Sequence, residues 1–162
     1  MLRSSASKVG GFTLAESLIV VAIVGILVAI AFPSLKAAID RANLTQATDM
    51  VVGSLQQAQR EAMRRDRGCT LTLDKVARKI VGDRGCLLDG DRYLPAAISI
   101  EYTGADGEIQ YGIRGNTTTN KTVILSIRDS PKNTRCLTVS APLGIIRLGT
   151  YNAIADTCRK LS

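Results

Sequence analysis

Histidine and tryptophan are absent from this chain of 162 residues, and aromatic rings are scarce, four Tyr and two Phe. Without His there is no Ser-His-Asp triad, no Cys-His nucleophile pair and no His-ligated zinc. So few rings make a poor platform for stacking single-stranded nucleic acid. A lone Ser or Cys without a base, and scattered Asp residues in no paired motif, supply no catalytic constellation. The expectation is a protein that is not an enzyme and needs no cofactor and no metal. What the chain does have is 21 Lys and Arg against 14 Asp and Glu, a net +7, and a hydrophobic fraction of 46% that is unevenly spread. Its length accommodates one domain with an appendage.

Charge is also missing from one long stretch. Between Lys8 and Lys36 the only charged residue is Glu16, and Leu18 to Phe32 is apolar without interruption. As a helix, Phe12 to Phe32 spans about 31 Å, one bilayer core. A segment apolar on all sides belongs in lipid or in a packed bundle. The basic leader with Arg3 and Lys8, and the small residues at Ala29-Ile30-Ala31, fit a cleaved secretory signal; a plain membrane anchor is the second reading. Against the cleaved signal, Glu16 sits at the mouth of the apolar block, and helix-compatible sequence continues past Ala31. Thr13-x-x-Glu16 reads as a capping box. Pro33 lacks an N–H and is expected to kink the helix without necessarily ending it.

Beyond Pro33 the apolar residues Leu44, Ala47, Val51, Leu55, Ala58 and Ala62 recur at three and four, the pattern of a helix with one buried face. Asp40, Gln46, Asp49, Gln56, Gln57 and Arg60 fall on the other face. Glu61 and Arg65 form a favourable i,i+4 pair. Arg64, Arg65 and Arg67 complement the helix dipole, with a phosphate or partner contact as the alternative role, and Gly68 is the expected C′ glycine. The helix then runs from Phe12 to Arg67, with 12–32 embedded in a membrane or filament core and 33–67 amphipathic.

From residue 68 the periodicity changes from 3.6 to 2. Expected strands are Cys69–Leu73, Lys79–Val81, Ile98–Tyr102, Glu108–Ile113, Thr122–Ile127, Cys136–Val139 and Ile145–Leu148, separated by Gly-, Asp- and Pro-containing turns. A β-domain of this size is too small for a generous core, and the helix face Leu44–Ala62 supplies cover. The fold class is therefore α+β, a ladle with a long N-terminal helix packed on a small antiparallel β-domain at 68–162. Cys69, Cys86, Cys136 and Cys158 form no C-x-x-C, and without His a zinc site is excluded in practice. Four cysteines allow three connectivities. Cys69–Cys86 and Cys136–Cys158 close the shortest loops, each contributing roughly 3 kcal/mol in the chain-entropy model; buried free thiols are the alternative.

The N-terminal residues carry a family resemblance. Gly11-Phe12-Thr13-Leu14-Ala15-Glu16, after a short basic leader and before about 20 apolar residues, resembles the class III signal of type IV prepilins. The resemblance implies that residues 1–11 are a leader, that prepilin peptidase cleaves after Gly11, and that the new N-terminal residue, Phe12, is N-methylated. It places Glu16 at the position where pilins carry an assembly glutamate, and Pro33 where many have a kinking proline. A charge in lipid costs at least ~2.5–3.5 kcal/mol and is usually partnered; in a filament that partner is the Phe12 amine of a neighbouring subunit. Gln56-Gln57-Ala58-Gln59-Arg60-Glu61-Ala62-Met63-Arg64-Arg65 and Leu143-Gly144-Ile145-Ile146-Arg147-Leu148 resemble, more loosely, stretches of the FimT/GspH minor pilin family. The implied partners are other pilins or pseudopilins, the prepilin peptidase and an inner-membrane assembly platform. The implied location is the bacterial inner membrane, with one span and an extracytoplasmic C-terminal domain, and then the pilus or pseudopilus.

Some members of that family bind DNA through a Gly-Arg-x-Arg segment. Here Gly144 and Arg147 match, but Ile145 stands at the first Arg position. Removal of the leader leaves 19 basic against 14 acidic residues, +5. Residues 109–162 hold eight bases (Arg114, Lys121, Arg128, Lys132, Arg135, Arg147, Arg159 and Lys160) and two acids, Asp129 and Asp156, so the excess positive charge lies in the last third. Such a surface binds phosphates without sequence preference; dispersed solubilising charge, or docking to an acidic neighbour, is the alternative. Three functions follow: a minor pilin of a type IV pilus with a DNA-uptake surface, a type II secretion pseudopilin, and a membrane-anchored DNA receptor.

Overall fold

The computed structural model describes residues 13–128, 130–152 and 157–160, without the side chains of residues 84, 130–133 and 160. Its first element is a helix, α1 (Leu14–Arg64), of 51 residues. Thr13 caps it: the Thr13 Oγ1 accepts a hydrogen bond from the Glu16 N–H at 3.2 Å, half of the expected capping box. Pro33 lies inside α1 and does not end it. The chain divides between Ala38 and Ile39 into two compact units. In the first unit every described residue is exposed, Leu14 through Phe32 included.

The second unit begins within α1. Leu44, Ala47, Val51, Leu55, Ala58 and Ala62, the face set by periodicity, are all buried. Thr48 and Ser54 are buried beside them and return their hydroxyls to the carbonyls of Leu44 and Met50, both at 2.7 Å. Gln57, expected on the solvated face, is instead buried and accepts a hydrogen bond from Arg92. The helix stops in a Schellman turn. Asp66 takes φ 49°, and the Arg67 N–H reaches the Ala62 carbonyl at 3.2 Å. The left-handed residue is thus Asp66, not the expected Gly68. At Gly68 a Cβ would lie 3.3 Å from the Tyr111 carbonyl oxygen, a tight contact.

Nine strands follow among the described residues: β1 (Cys69–Asp74), β2 (Lys79–Gly82), β3 (Arg92–Tyr93), β4 (Ile98–Tyr102), β5 (Glu108–Tyr111), β6 (Lys121–Ile127), β7 (Ser130–Ser140), β8 (Ile145–Asn152) and β9 (Thr157–Lys160). They form two antiparallel sheets, β3-β2-β1-β5 and β4-β6-β7-β8-β9. All seven expected strands are present; β3 and β9 were not expected. Alternation sorts the residues of β1 into buried Cys69, Leu71 and Leu73 against half-buried Thr70, Thr72 and Asp74. One core gathers the helix face with Leu71, Leu73, Ile80 and Ile109 of the first sheet and Ile98, Val123, Leu125, Leu137 and Val139 of the second.

Both disulfides are those that close the short loops. Cys69–Cys86 ties β1 to the loop after β2, and Cys136–Cys158 ties β7 to β9, with Cα separations of 5.6 and 5.8 Å. The second bridge passes β8, which lies between its two strands, at Gly149, the residue paired with Cys136. A Cβ at Gly149 would sit 2.3 Å from the Arg159 carbonyl oxygen and 2.9 Å from the Cys158 Sγ. Glycine is what lets β9 close down on β8 there.

Candidate functional site

Two regions carried functional expectations. The first is the N-terminal motif. Gly11 and Phe12, the expected cleavage and methylation pair, lie outside the described residues, as does the leader 1–11. Glu16 stands in the first turn of α1, where a carboxylate suits the positive end of the helix dipole. No cation among the described residues meets its carboxylate. From there α1 is long and apolar enough to cross a membrane, with a mean hydropathy of 2.9 over its most apolar window. Water does not tolerate such a surface: exposed aliphatic area costs about 25 cal/mol per Å² relative to burial. What the segment can do chemically is insert into lipid or pack against like helices.

The second region is the basic C-terminal third, and the sheet scatters it. In the β7–β8–β9 ladder Arg135 pairs with Thr150, and Thr150 with Arg159, so these two arginines share a face two strands apart. Arg147 pairs with Thr138, an odd number of residues from Thr150, and so points to the opposite face. Arg114 and Arg128 are exposed on turns. The side chains of Lys132 and Lys160 lie outside the described residues. Lys121 is not available to any ligand. It is buried, its ammonium donating to the Asp106 Oδ1 at 2.7 Å and to the carbonyls of Asp106 and Glu108 at 2.6 and 2.9 Å. Those three bonds use all the donors a lysine has. The hydrogen bond from Lys121 holds the Asp106 carboxyl below the usual carboxylate range. Lys121 therefore locks the loop before β5 onto β6.

The cations at the end of α1 are likewise committed in part. The buried Glu61 carboxylate accepts from Arg64 at 2.7 Å and from Arg65 at 2.8 Å. The Arg64 hydrogen bond is the largest of the influences that lower the Glu61 pKa. Arg92, which carried no expectation, joins β3 to α1 through Ser54 and Gln57.

Gln59 also went unnoticed in sequence, and it organises one end of the second unit. Its Nε2 donates to the Gly115 carbonyl at 2.8 Å and reaches the Leu143 carbonyl at 3.5 Å, so one side chain clamps the turns after β5 and β7 onto α1. Gly144 has φ 67°, and a Cβ there would approach the Gly115 carbonyl oxygen to 2.9 Å. The glycine of the Leu143–Leu148 segment thus serves packing. Beneath it Tyr111 is buried, its hydroxyl without a hydrogen-bond partner among the described residues, and burial pushes that hydroxyl up to about 12. Clefts of about 530 and 540 Å³ lie beside Asp106 and Lys121 and against Thr138, Arg147, Leu148 and Cys158. No group of three or more His, Cys, Asp or Glu able to hold a metal occurs among the described residues.

A family model, the prokaryotic N-terminal methylation motif, matches residues 6–32. The chain thus carries the N-methylation motif of type IV prepilins, and its fold is similar to that of minor pilins and pseudopilins. The crystal structure of the Pseudomonas aeruginosa type IV minor pilin FimU superposes with a TM-score of 0.56 at 19% identity, over 67% of this chain and 90% of that one. The minor pseudopilin EpsH of the Vibrio cholerae type 2 secretion system does so with 0.56 at 12% identity, over 67% and 97%. No curated protein sequence matches the chain.

Proposed function

We propose that this protein is a minor-pilin-like subunit of a type IV pilus. Prepilin peptidase removes residues 1–11 after Gly11 and N-methylates Phe12. Residues 12–32 hold the chain in the inner membrane, the rest of the helix runs on to Arg64, and residues 68–162 form the extracytoplasmic domain. Assembly transfers the apolar half of α1 from lipid into a bundle of like helices. In that bundle the Glu16 carboxylate pairs with the Phe12 amine of a neighbour. The work is contact and assembly, not chemistry, in keeping with a chain that has no histidine.

One observation carries this reading: the methylation motif runs into a helix whose apolar side chains are exposed on every side from Leu14 to Phe32. A secretory signal is discarded, whereas here the same helix continues without a break to form one wall of the folded unit's core. A pseudopilin of a type II secretion system is the second reading, favoured by the equal TM-scores of 0.56 to FimU and EpsH. DNA uptake draws less support, because Lys121 is buried and the strand arginines divide between two faces.

Mass spectrometry of the mature N-terminus tests the proposal. N-methylated Phe12 is the expected result; a chain beginning at Phe32 overturns it. Filament incorporation tests the assembly step, since Glu16→Ala is expected to abolish entry into filaments while leaving cleavage intact.

A further inference from the structure

Exposed apolar side chains are ordinary when they stand singly, as Val76 does on the β1–β2 turn and Leu88 does on the loop after β2. At the C-terminal end of α1 they do not stand singly. Met63, Ile113, Leu143 and Ile145 are 47, 48, 68 and 43% exposed, and they lie around one point. A Cβ on Gly115 would lie 3.0 Å from the Met63 Sδ, and a Cβ on Gly144 would lie 2.9 Å from the Gly115 carbonyl oxygen. Ile113 is two residues from Gly115, and Leu143 and Ile145 flank Gly144. The turns that present them are rigid. Besides the Gln59 clamp, the Gly115 N–H bonds the Gly112 carbonyl at 2.8 Å, Thr117 that of Pro142 at 2.9 Å, and Gly144 that of Ser140 at 2.9 Å. A rigid surface loses little conformational entropy when something binds it.

The rim contributed by the two turns and β8 has one sign. Arg114 adjoins Ile113, and Arg147 shares a strand face with Ile145 about 7 Å along β8. Neither has an ion-pair partner among the described residues. Residues 109–128 and 130–152 contain no acid at all. Glu61, the nearest acid on α1, is held by Arg64 and Arg65. An apolar centre flanked by arginines is the anatomy of a protein contact. A nucleic acid finds nothing to stack on in four aliphatic side chains, since base-stacking platforms are aromatic.

We infer that this end of the domain is a docking surface for a partner protein whose contact face is apolar at its centre and carries Asp or Glu at its rim. The aliphatic side chains supply the buried centre, and Arg114 and Arg147 pair with the partner's carboxylates and set its orientation. Gln59 is a positioning residue that holds the two turns together. The surface lies wholly within the second unit and does not depend on which machinery the protein serves.

Site-specific photo-crosslinking in cells that express the full chain tests this inference, with the photoreactive residue at Leu143 and, as control, at Val76. The expected result is a protein adduct from position 143, at least about tenfold more abundant than from 76, whose cross-linked peptide contains apolar and acidic residues. Combining the Leu143 probe with Arg114→Glu and Arg147→Glu is expected to lower the yield on the order of tenfold. Both arginines are exposed, and disulfide mapping of the variant checks that it folds. Equal adducts from 143 and 76, no protein adduct, an adduct indifferent to the charge reversal, or an adduct to nucleic acid each overturn the inference.

Discussion

The two halves of α1 have the same secondary structure for different reasons. Residues 14–38 are exposed on every side and apolar without interruption from Leu18 to Phe32, so no face is selected and their burial must come from lipid or other chains. Residues 39–64 are amphipathic, and their partner is already present: Leu44 to Ala62 close the core over both sheets. A solvent without hydrogen bonds would require the first half to be a helix, whereas the second half is a helix that covers a sheet. Helical propensity does not separate the two; the distribution of polar residues around the axis does.

Substitutions in the two halves break this comparison most directly. Leu55→Ala is expected to cost about 2–5 kcal/mol of the second unit's stability, whereas Leu27→Ala, exposed in the first unit, leaves the unfolding free energy of the detergent-solubilised full chain within about 0.5 kcal/mol of wild type. Equal losses at both positions would show that 14–38 contributes to the folded core. Next come the disulfides, which act only on the second unit. With sequence separations of 17 and 22, replacing either pair by Ser is expected to cost about 3 kcal/mol, read by denaturant unfolding with and without reductant.

Val24→Asp sharpens the contrast from the other side. It places a charge in the apolar half at a cost of about 2.5–3.5 kcal/mol. The chain is expected to shift from the membrane fraction, while the disulfides and the circular dichroism of residues 39–162 stay native. The smallest effect is a pH dependence confined to the second unit. Glu61 and Asp106 have carboxyl pKa values lowered in the fold, chiefly by hydrogen bonds from Arg64 and Lys121. Each therefore contributes stability that is present above the ordinary carboxylate pKa and lost as pH falls through the lowered folded value. A chemical-denaturation series from pH 6 to pH 2 is expected to show this decline, less steeply in Glu61→Gln.

Most of the elements were legible in the chain because their causes are local. Seven strands announced themselves by alternation, and the buried helix face by spacing. β3 did not, because two residues show no period and the strand exists only through pairing with β2. β9 did not, because Thr157-Cys158-Arg159-Lys160 has no apolar alternation; it is held by its ladder to β8 and by Cys136–Cys158. The candidate site was less legible. Charge arithmetic collected eight bases by their place in the sequence, whereas the sheet parts Arg147 from Arg135 and Arg159 and buries Lys121. Gln57 and Lys121 read as solvated groups, yet each is buried with a partner at least 13 residues away.

By itself, then, the sequence determined the methylation motif, the length and polarity of each half of α1, the change from helical to strand period near residue 68 and the short cysteine loops. All of these depend on neighbours along the chain. Tertiary structure alone decided that Lys121 is an internal clasp, that Gly144 and Gly149 stand where other strands and turns approach too closely for a side chain, and that Arg147 parts from Arg135 and Arg159. Those outcomes depend on register between strands far apart in sequence, where a slip of one residue moves every side chain to the opposite face.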